Sequence, residues 1–201
     1  MFASDPDLGS PPRIRDGSDP NLYIEDWDEY FLEIAMTVAR KSKDPDCLVG
    51  AVIVSQDDLV LATGYNGFPR GVYDDAKLLK DREEKLARIC HAETNAIFNA
   101  VRAGVSVAGC SIYVNKFPCF NCLTAIVQAG LKKICTQDYE YWKRDSNDPD
   151  HRRKRDLLSQ VDLEVHAPNH PDFVPLKTFI VKNGHVRTAN GRQKTNVDKS
   201  R

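Results

Sequence analysis

Two clusters of metal-ligating side chains, His91-Ala92-Glu93 and Pro118-Cys119-Phe120-Asn121-Cys122, lie 28 residues apart, and each stands at the predicted start of a helix. A chain that uses both must fold so that two helix N-termini meet. One imidazole and two thiolates give three ligands to a tetrahedral Zn²⁺ and leave the fourth position for water, as a catalytic site does and a closed structural site does not. The positive end of each helix favours thiolates at Cys119 and Cys122, whose i, i+3 spacing sets them on one face. Glu93, in the first helical turn, falls beside that water as a proton carrier and not as a ligand. Taken alone, Cys119-x-x-Cys122 reads equally well as half a structural zinc knuckle or a redox pair, and His-x-Glu as surface decoration. A four-ligand site needs one more residue, however, and a redox pair has no use for His91 or Glu93.

The surrounding pattern is an alternation of helices and strands. Residues 1–22, rich in Asp, Gly, Ser and Pro, read as a disordered arm ahead of a catalytic domain over 23–170. Trp27, Tyr30, Phe31, Ile34, Ala35 and Val38 predict a helix ending near Lys43, ahead of Asp44-Pro45. Strands are expected over 49–55 and 59–65, with near-continuous apolar character that implies a sheet covered on both faces. The charged stretch from Asn66 to about Arg88 has no clean apolar face and reads as a long loop holding at most one helical turn. Then follow a helix 92–103 closed by Gly104, a strand 110–115, a helix 120–129 closed by Gly130, a strand 132–136, a basic helix 150–160 and a strand 161–166. An Asn183-Gly184 hairpin signal marks a C-terminal extension over 171–201, whose end from Thr188 is polar and expected to fray.

Composition removes several classes. Lys and Arg number 28 against 29 Asp and Glu, a net charge of -1, which supplies no field for coating nucleic acid. No run of 18 apolar residues predicts a membrane span, and the acidic, proline-bearing first twenty residues do not match a secretory signal, so a cytoplasmic protein is expected. Six cysteines are too sparse for a disulfide scaffold. Cys110 and Cys135 read as buried core thiols, and Cys90 as pointing away from a metal on His91. The run His151-Arg152-Arg153-Lys154-Arg155, flanked by Asp148, Asp150 and Asp156, reads as a solvated helix face.

His-x-Glu followed by Pro-Cys-x-x-Cys is the signature of zinc nucleobase deaminases. With Ser42-Lys43-Asp44-Pro45, Val49-Gly50-Ala51, Gly64-Tyr65-Asn66-Gly67-Phe68-Pro69-Arg70-Gly71 and His91-Ala92-Glu93-Thr94-Asn95-Ala96-Ile97, the chain resembles the cytidine and deoxycytidylate deaminase superfamily, and within it the deoxycytidylate (dCMP) deaminases. The resemblance runs from about Trp27 to Thr136. It implies an α/β, three-layer cytidine-deaminase-like fold, with a five-stranded mixed sheet and helices on both faces. It also implies one catalytic Zn²⁺ per chain on His91, Cys119 and Cys122, and hydrolysis of dCMP to dUMP and ammonia with Glu93 moving the protons. Thr94 departs from the family, where a larger apolar residue is commoner, and is expected to change packing and not chemistry.

For substrate, the resemblance assigns Asn66 to the deoxyribose and the backbone N–H of Ala92 to the base. The 5′-phosphate would fall to Arg40 and Lys43, with Tyr139, Tyr141 and Arg144 closing that end. It further assigns Gly64, Tyr65, Gly67 and Arg70 to an effector loop for dCTP and dTTP, which would bring Mg²⁺, and predicts a homo-oligomer, a hexamer favoured. The rivals are a zinc deaminase of another base or nucleoside (cytidine, deoxycytidine, guanine, tRNA adenosine) and an inactive zinc-bearing interaction module. Glu93 argues against the module, and the neutral charge balance against an RNA substrate.

Overall fold

The computed structural model describes residue 24, residues 26–138 and 148–168, and two short strands at 180–182 and 185–187. The predicted arm over 1–22 and the frayed end from Thr188 lie outside the described residues.

Helix α1 (Trp27–Ala39) starts where Asp26 Oδ1 accepts from the N–H of Glu29 at 2.9 Å, with Asp28 and Glu29 in its positive first turn. It buries Phe31, Leu32, Ala35 and Ala39. It stops before the expected Lys43 because the N–H groups of Arg40, Lys41 and Ser42 tighten onto the carbonyls three residues back. Strands β1 (Gly50–Val54) and β2 (Val60–Tyr65) form the expected hairpin. Next come α2 (Ala76–Lys80), α3 (Arg82–Arg88), α4 (Ala92–Arg102), β3 (Ser111–Val114), α5 (Phe120–Gln128), β4 (Lys133–Thr136), α6 (Pro149–Gln160) and β5 (Glu164–His166). Gly104 and Gly130, at φ +70° and +80°, end α4 and α5 in the left-handed conformation that glycine adopts without strain.

The sheet order is β2-β1-β3-β4-β5, with β1 antiparallel to both neighbours and β3, β4 and β5 parallel, so it is the expected five-stranded mixed sheet. On one face Phe31, Leu32 and Ala35 of α1 meet Val52, Val54, Tyr113 and Cys135. On the other, Ala96 and Ala100 of α4, Ile126 of α5 and Leu158 of α6 close over Ile53, Ile112 and Ile134. Fully burying each of these isoleucines and leucines contributes about 1.5–3 kcal/mol. Two glycines let helices touch the sheet backbone. A Cβ on Gly50 would lie 2.1 Å from the carbonyl oxygen of Ala35, and one on Gly64 2.3 Å from that of Ala92.

Three further sequence expectations are corrected. The stretch from Asn66 to Arg88 holds two helices, α2 and α3, each opened by an aspartate: Asp75 accepts from Lys77 N–H, and Asp81 from those of Glu83 and Glu84. The last core strand is shorter than expected, Glu164–His166. The basic run of α6 is not uniformly solvated, since His151 and Lys154 are buried; Lys154 reaches Asp150 at 2.8 Å and sits 5.7 Å from the ring centroid of Phe117. Beyond the core, β6 (Ile180–Lys182) pairs antiparallel with β7 (His185–Arg187), as the Asn-Gly signal predicts.

Candidate metal and active site

The N-termini of α4 and α5 converge. His91 caps α4 and Cys119 caps α5, both in extended conformation, so their side chains project forward of the helices. His91 Nδ1 lies 3.3 Å from Cys119 Sγ and 3.3 Å from Cys122 Sγ, and the three donors fall within 4.8 Å of one another. Among the described residues this is the one cluster of three such donors. The three groups are within hydrogen-bond distance of one another through His91 Nδ1. The Cys122 thiol and then His91 hold the Cys119 thiol down to about 4, so Cys119 is a thiolate at neutral pH. The same Cys119 contact, together with burial, pushes the Cys122 thiol up, and the Cys119 sulfur pulls His91 above the usual imidazole range. Two sulfurs and an imidazole nitrogen, one sulfur already charged, form a donor set that suits Zn²⁺.

Glu93 is only 4% exposed, in the first turn of α4. Burial raises its pKa above the ordinary carboxylate range, against the opposing pull of its own backbone N–H and of His91. A buried carboxyl group whose pKa is raised in this way is suited both to accept and to return a proton. Ala92 opens α4 and is fully buried; its N–H is one of the first-turn amides that a helix leaves without an internal partner.

Asn66 is buried and heavily engaged. Its Nδ2 donates to Asp44 Oδ2 at 3.3 Å and to the carbonyl of Cys47 at 2.8 Å, and its Oδ1 accepts from the N–H of Val49 at 2.8 Å. Beside it, Gly67 and Cys90 exchange backbone hydrogen bonds of 3.1 and 2.8 Å, which couples the Gly-Tyr-Asn-Gly segment to the residue before His91.

A second concavity, of about 530 Å³, opens along the outer face of α4. It collects Lys43, Tyr65, Gly67 and Arg70 of the predicted residues, and adds Lys41 and Arg102. Lys43 is tied to Asp74 at 2.6 Å, and Arg70 Nη2 donates to Asn99 Oδ1 at 3.0 Å. Arg40, exposed at the end of α1, does not line it. Gly64 lies inside β2, packed against the backbone of α4, and does not line this cavity. Tyr139, Tyr141 and Arg144 lie outside the described residues. The sequence reading missed Asn95 and Asn99, which donate to the carbonyls of Tyr65 and Thr63 at 2.8 and 2.7 Å and lock α4 onto β2. Their i, i+4 spacing on α4 was the available signal. Cys110 and Cys135 are buried as expected, and Cys47 accepts from Lys116 Nζ at 3.2 Å.

An α/β sandwich that brings a His/Cys/Cys donor set and a buried glutamate to two helix starts defines the class of zinc nucleobase deaminases. Residues 25–137 match the cytidine and deoxycytidylate deaminase zinc-binding region, and the chain belongs to that family. It is 41% identical over 128 residues to human deoxycytidylate deaminase, covering 61% of this chain and 70% of that one. With the mouse deoxycytidylate deaminase it shares 37% over 157 residues, 76% of this chain and 85% of the relative. The dCMP deaminase of cyanophage S-TIM5, solved both in apo form and with dCMP and dUMP, superposes with a TM-score of 0.56 at 24% identity, over 72% of this chain and nearly all of that one; this is a likeness of fold. No helix among the described residues is long and apolar enough to cross a membrane.

Proposed function

We propose that the chain hydrolyses the 4-amino group of dCMP, releasing dUMP and ammonia and so supplying dUMP for thymidylate synthesis. His91, Cys119 and Cys122 would hold Zn²⁺, whose Lewis acidity makes water a competent nucleophile near neutral pH. Glu93 takes one proton from the attacking water and passes it to N3 of the base, then carries the second, from the hydroxyl formed at C4, to the departing amine as the C4–N bond breaks. The Ala92 N–H faces the base. Asn66, with both amide hydrogens given to Asp44 and Cys47, meets the deoxyribose as an acceptor through Oδ1. Arg40, Lys43 and Tyr139 are assigned to the phosphate end.

The observation that carries this reading is the convergence of three metal donors within 4.8 Å with a buried glutamate in the first turn of α4, its carboxyl pKa raised by burial. The named relatives at 37–41% identity support dCMP over other cytosine compounds. The cavity along α4 is assigned to triphosphate effectors, dCTP and dTTP with Mg²⁺. Beside Lys43, which is paired with Asp74 and kept for the substrate, the cavity holds the cations Lys41, Arg70 and Arg102, and Tyr65 offers a ring for stacking. A catalytic domain over 23–170, a hexameric assembly and a cytoplasmic location complete the reading.

Ammonia release from dCMP, CMP, deoxycytidine and dCTP, each offered separately, tests it. dCMP should turn over fastest, with dCTP making its saturation curve less sigmoidal and dTTP more so. Faster release from deoxycytidine than from dCMP overturns the substrate assignment. Hyperbolic kinetics indifferent to both triphosphates overturn the effector assignment.

A further inference from the structure

The two cysteine sulfurs have different hydrogen-bond donors. Cys119 Sγ accepts from the backbone N–H of Cys122 at 3.5 Å, a donor that the start of α5 supplies whatever its side chains are. Cys122 Sγ, on a residue only 2% exposed, has the hydroxyl of Thr94 at 3.6 Å, an ordinary separation for an atom as large as sulfur. Thr94 lies in the first turn of α4 and Cys122 in the first turn of α5, so this contact joins the two helices that carry the donors. One sulfur is thus served by the fold and the other by a side chain that a single substitution removes.

We propose that Thr94 is a positioning residue for the metal, its hydroxyl donating to the Cys122 thiolate and fixing that ligand's orientation between the first turns of α4 and α5. The donor assignment follows from chemistry: a metal-binding thiolate carries no proton, so the hydrogen of the pair is the one on Oγ1. A buried anion short of donors is costly, and metal binding leaves sulfur lone pairs to be satisfied. Outer hydrogen bonds of this kind typically contribute a factor of about 10–100 in metal affinity. The sequence reading gave Thr94 a packing effect alone; the geometry gives it a chemical one.

This inference rests on the assignment of His91, Cys119 and Cys122 as metal ligands, and its test reads the metal directly. The full chain is prepared as wild type, Thr94→Val, Thr94→Ala and Thr94→Ser, each loaded with Zn²⁺ and in parallel with Co²⁺. Valine keeps the branched shape and removes the donor, alanine removes both, and serine keeps the hydroxyl. Expected are a sulfur-to-cobalt charge-transfer band moved to lower energy in the Val and Ala variants, because a sulfur that loses its donor is richer in electrons, and Zn²⁺ release to a chelator about tenfold faster. The Ser variant should match wild type in both. Val and Ala variants with an unmoved band and unchanged release overturn the proposal, as does a Ser variant that behaves like Ala. Wild type that binds one Zn²⁺, and shows the expected band when loaded with Co²⁺, yet leaves dCMP untouched overturns the substrate assignment and leaves Thr94's role standing.

Discussion

Glu93 combines the two properties that a proton carrier needs and that a fold disfavours, burial and a titratable carboxyl group. Its pKa in the folded chain is raised, so folding binds more protons there than the unfolded chain does once pH passes the ordinary glutamate value of about 4.3. Stability therefore falls as pH rises from that value through the folded pKa, and at pH 7 burying this carboxyl group opposes folding. Glu93→Gln is expected to lower turnover at least about 100-fold, because a general acid and base contributes on the order of 10²–10⁴. The same variant, freed of metal, should melt at a higher temperature than wild type at pH 7. Zinc analysis should show the metal retained when it is supplied, since Glu93 is no ligand. A variant that loses zinc, or melts lower, contradicts this picture. At this scale the sequence was informative about ligands, because metal chemistry restricts residue type and spacing. It did not give the partners of Thr94, Asn95 and Asn99, which are Cys122 and the carbonyls of β2, remote in sequence and set by how α4 docks.

Helices α1, α4 and α5 and strand β1 could be read in advance because each has a local rule behind it: an apolar stripe, a closing glycine, or an unbroken β-branched run. Helices α2 and α3 have none of these. They are short, each begins on an aspartate cap, and α3 is anchored by a charged residue where a stripe would use apolar ones. Lys85, only 5% exposed, reaches from α3 to Asp44 Oδ1 at 2.9 Å and to the carboxylate of Asp46. Asp44 also accepts from Asn66 Nδ2 and from the N–H groups of Asp46 and Cys47, and its own N–H donates to Ser42 Oγ. The hydrogen bonds to Asp46 and Asp44 raise the Lys85 pKa, so its ion pairs are fully present at neutral pH and would be lost only as strongly alkaline pH approaches the raised value. Lys85→Met should leave the buried Asp44 carboxylate without its cation. The expected result is a lower melting temperature, with amide exchange at Gly67 and Cys90 accelerated more than in α1. Uniform acceleration across all elements would mean that Lys85 stabilises the chain without specifically holding the Asn66 segment.

Across the whole molecule, the two faces of the sheet are held in different ways. Three helices cover one face through apolar contacts, whereas α1 covers the other and is fastened at its first turn by charge as well. Asp28 Oδ1 accepts from Tyr113 of β3 at 2.8 Å and from Lys133 of β4 at 2.5 Å, while Oδ2 lies 3.4 Å from His166 Nδ1 of β5. One carboxylate therefore ties the helix to all three parallel strands. Partial burial pushes the Asp28 pKa upward, but His166, Lys133 and Tyr113 together outweigh it and hold the group well below the usual carboxylate range. With a depressed folded pKa, the stabilisation is fully present above the unfolded value of about 3.9 and drains away as pH falls below it toward the folded one. Asp28→Asn keeps the shape and an acceptor for Tyr113 but removes the charge, which should cost about 1.5–3 kcal/mol at pH 7, the usual range for a hydrogen bond to a charged group. Urea unfolding followed from pH 7 to pH 2 gives the decisive comparison. Wild type should lose stability below pH 4 more steeply than the variant, so that the two curves converge in acid. Parallel curves down to pH 2 would show that the charge of Asp28 contributes nothing to holding α1, and that the aromatic contact between Phe31 and Tyr113, ring centroids 5.0 Å apart, and the apolar residues around it suffice to seat the helix.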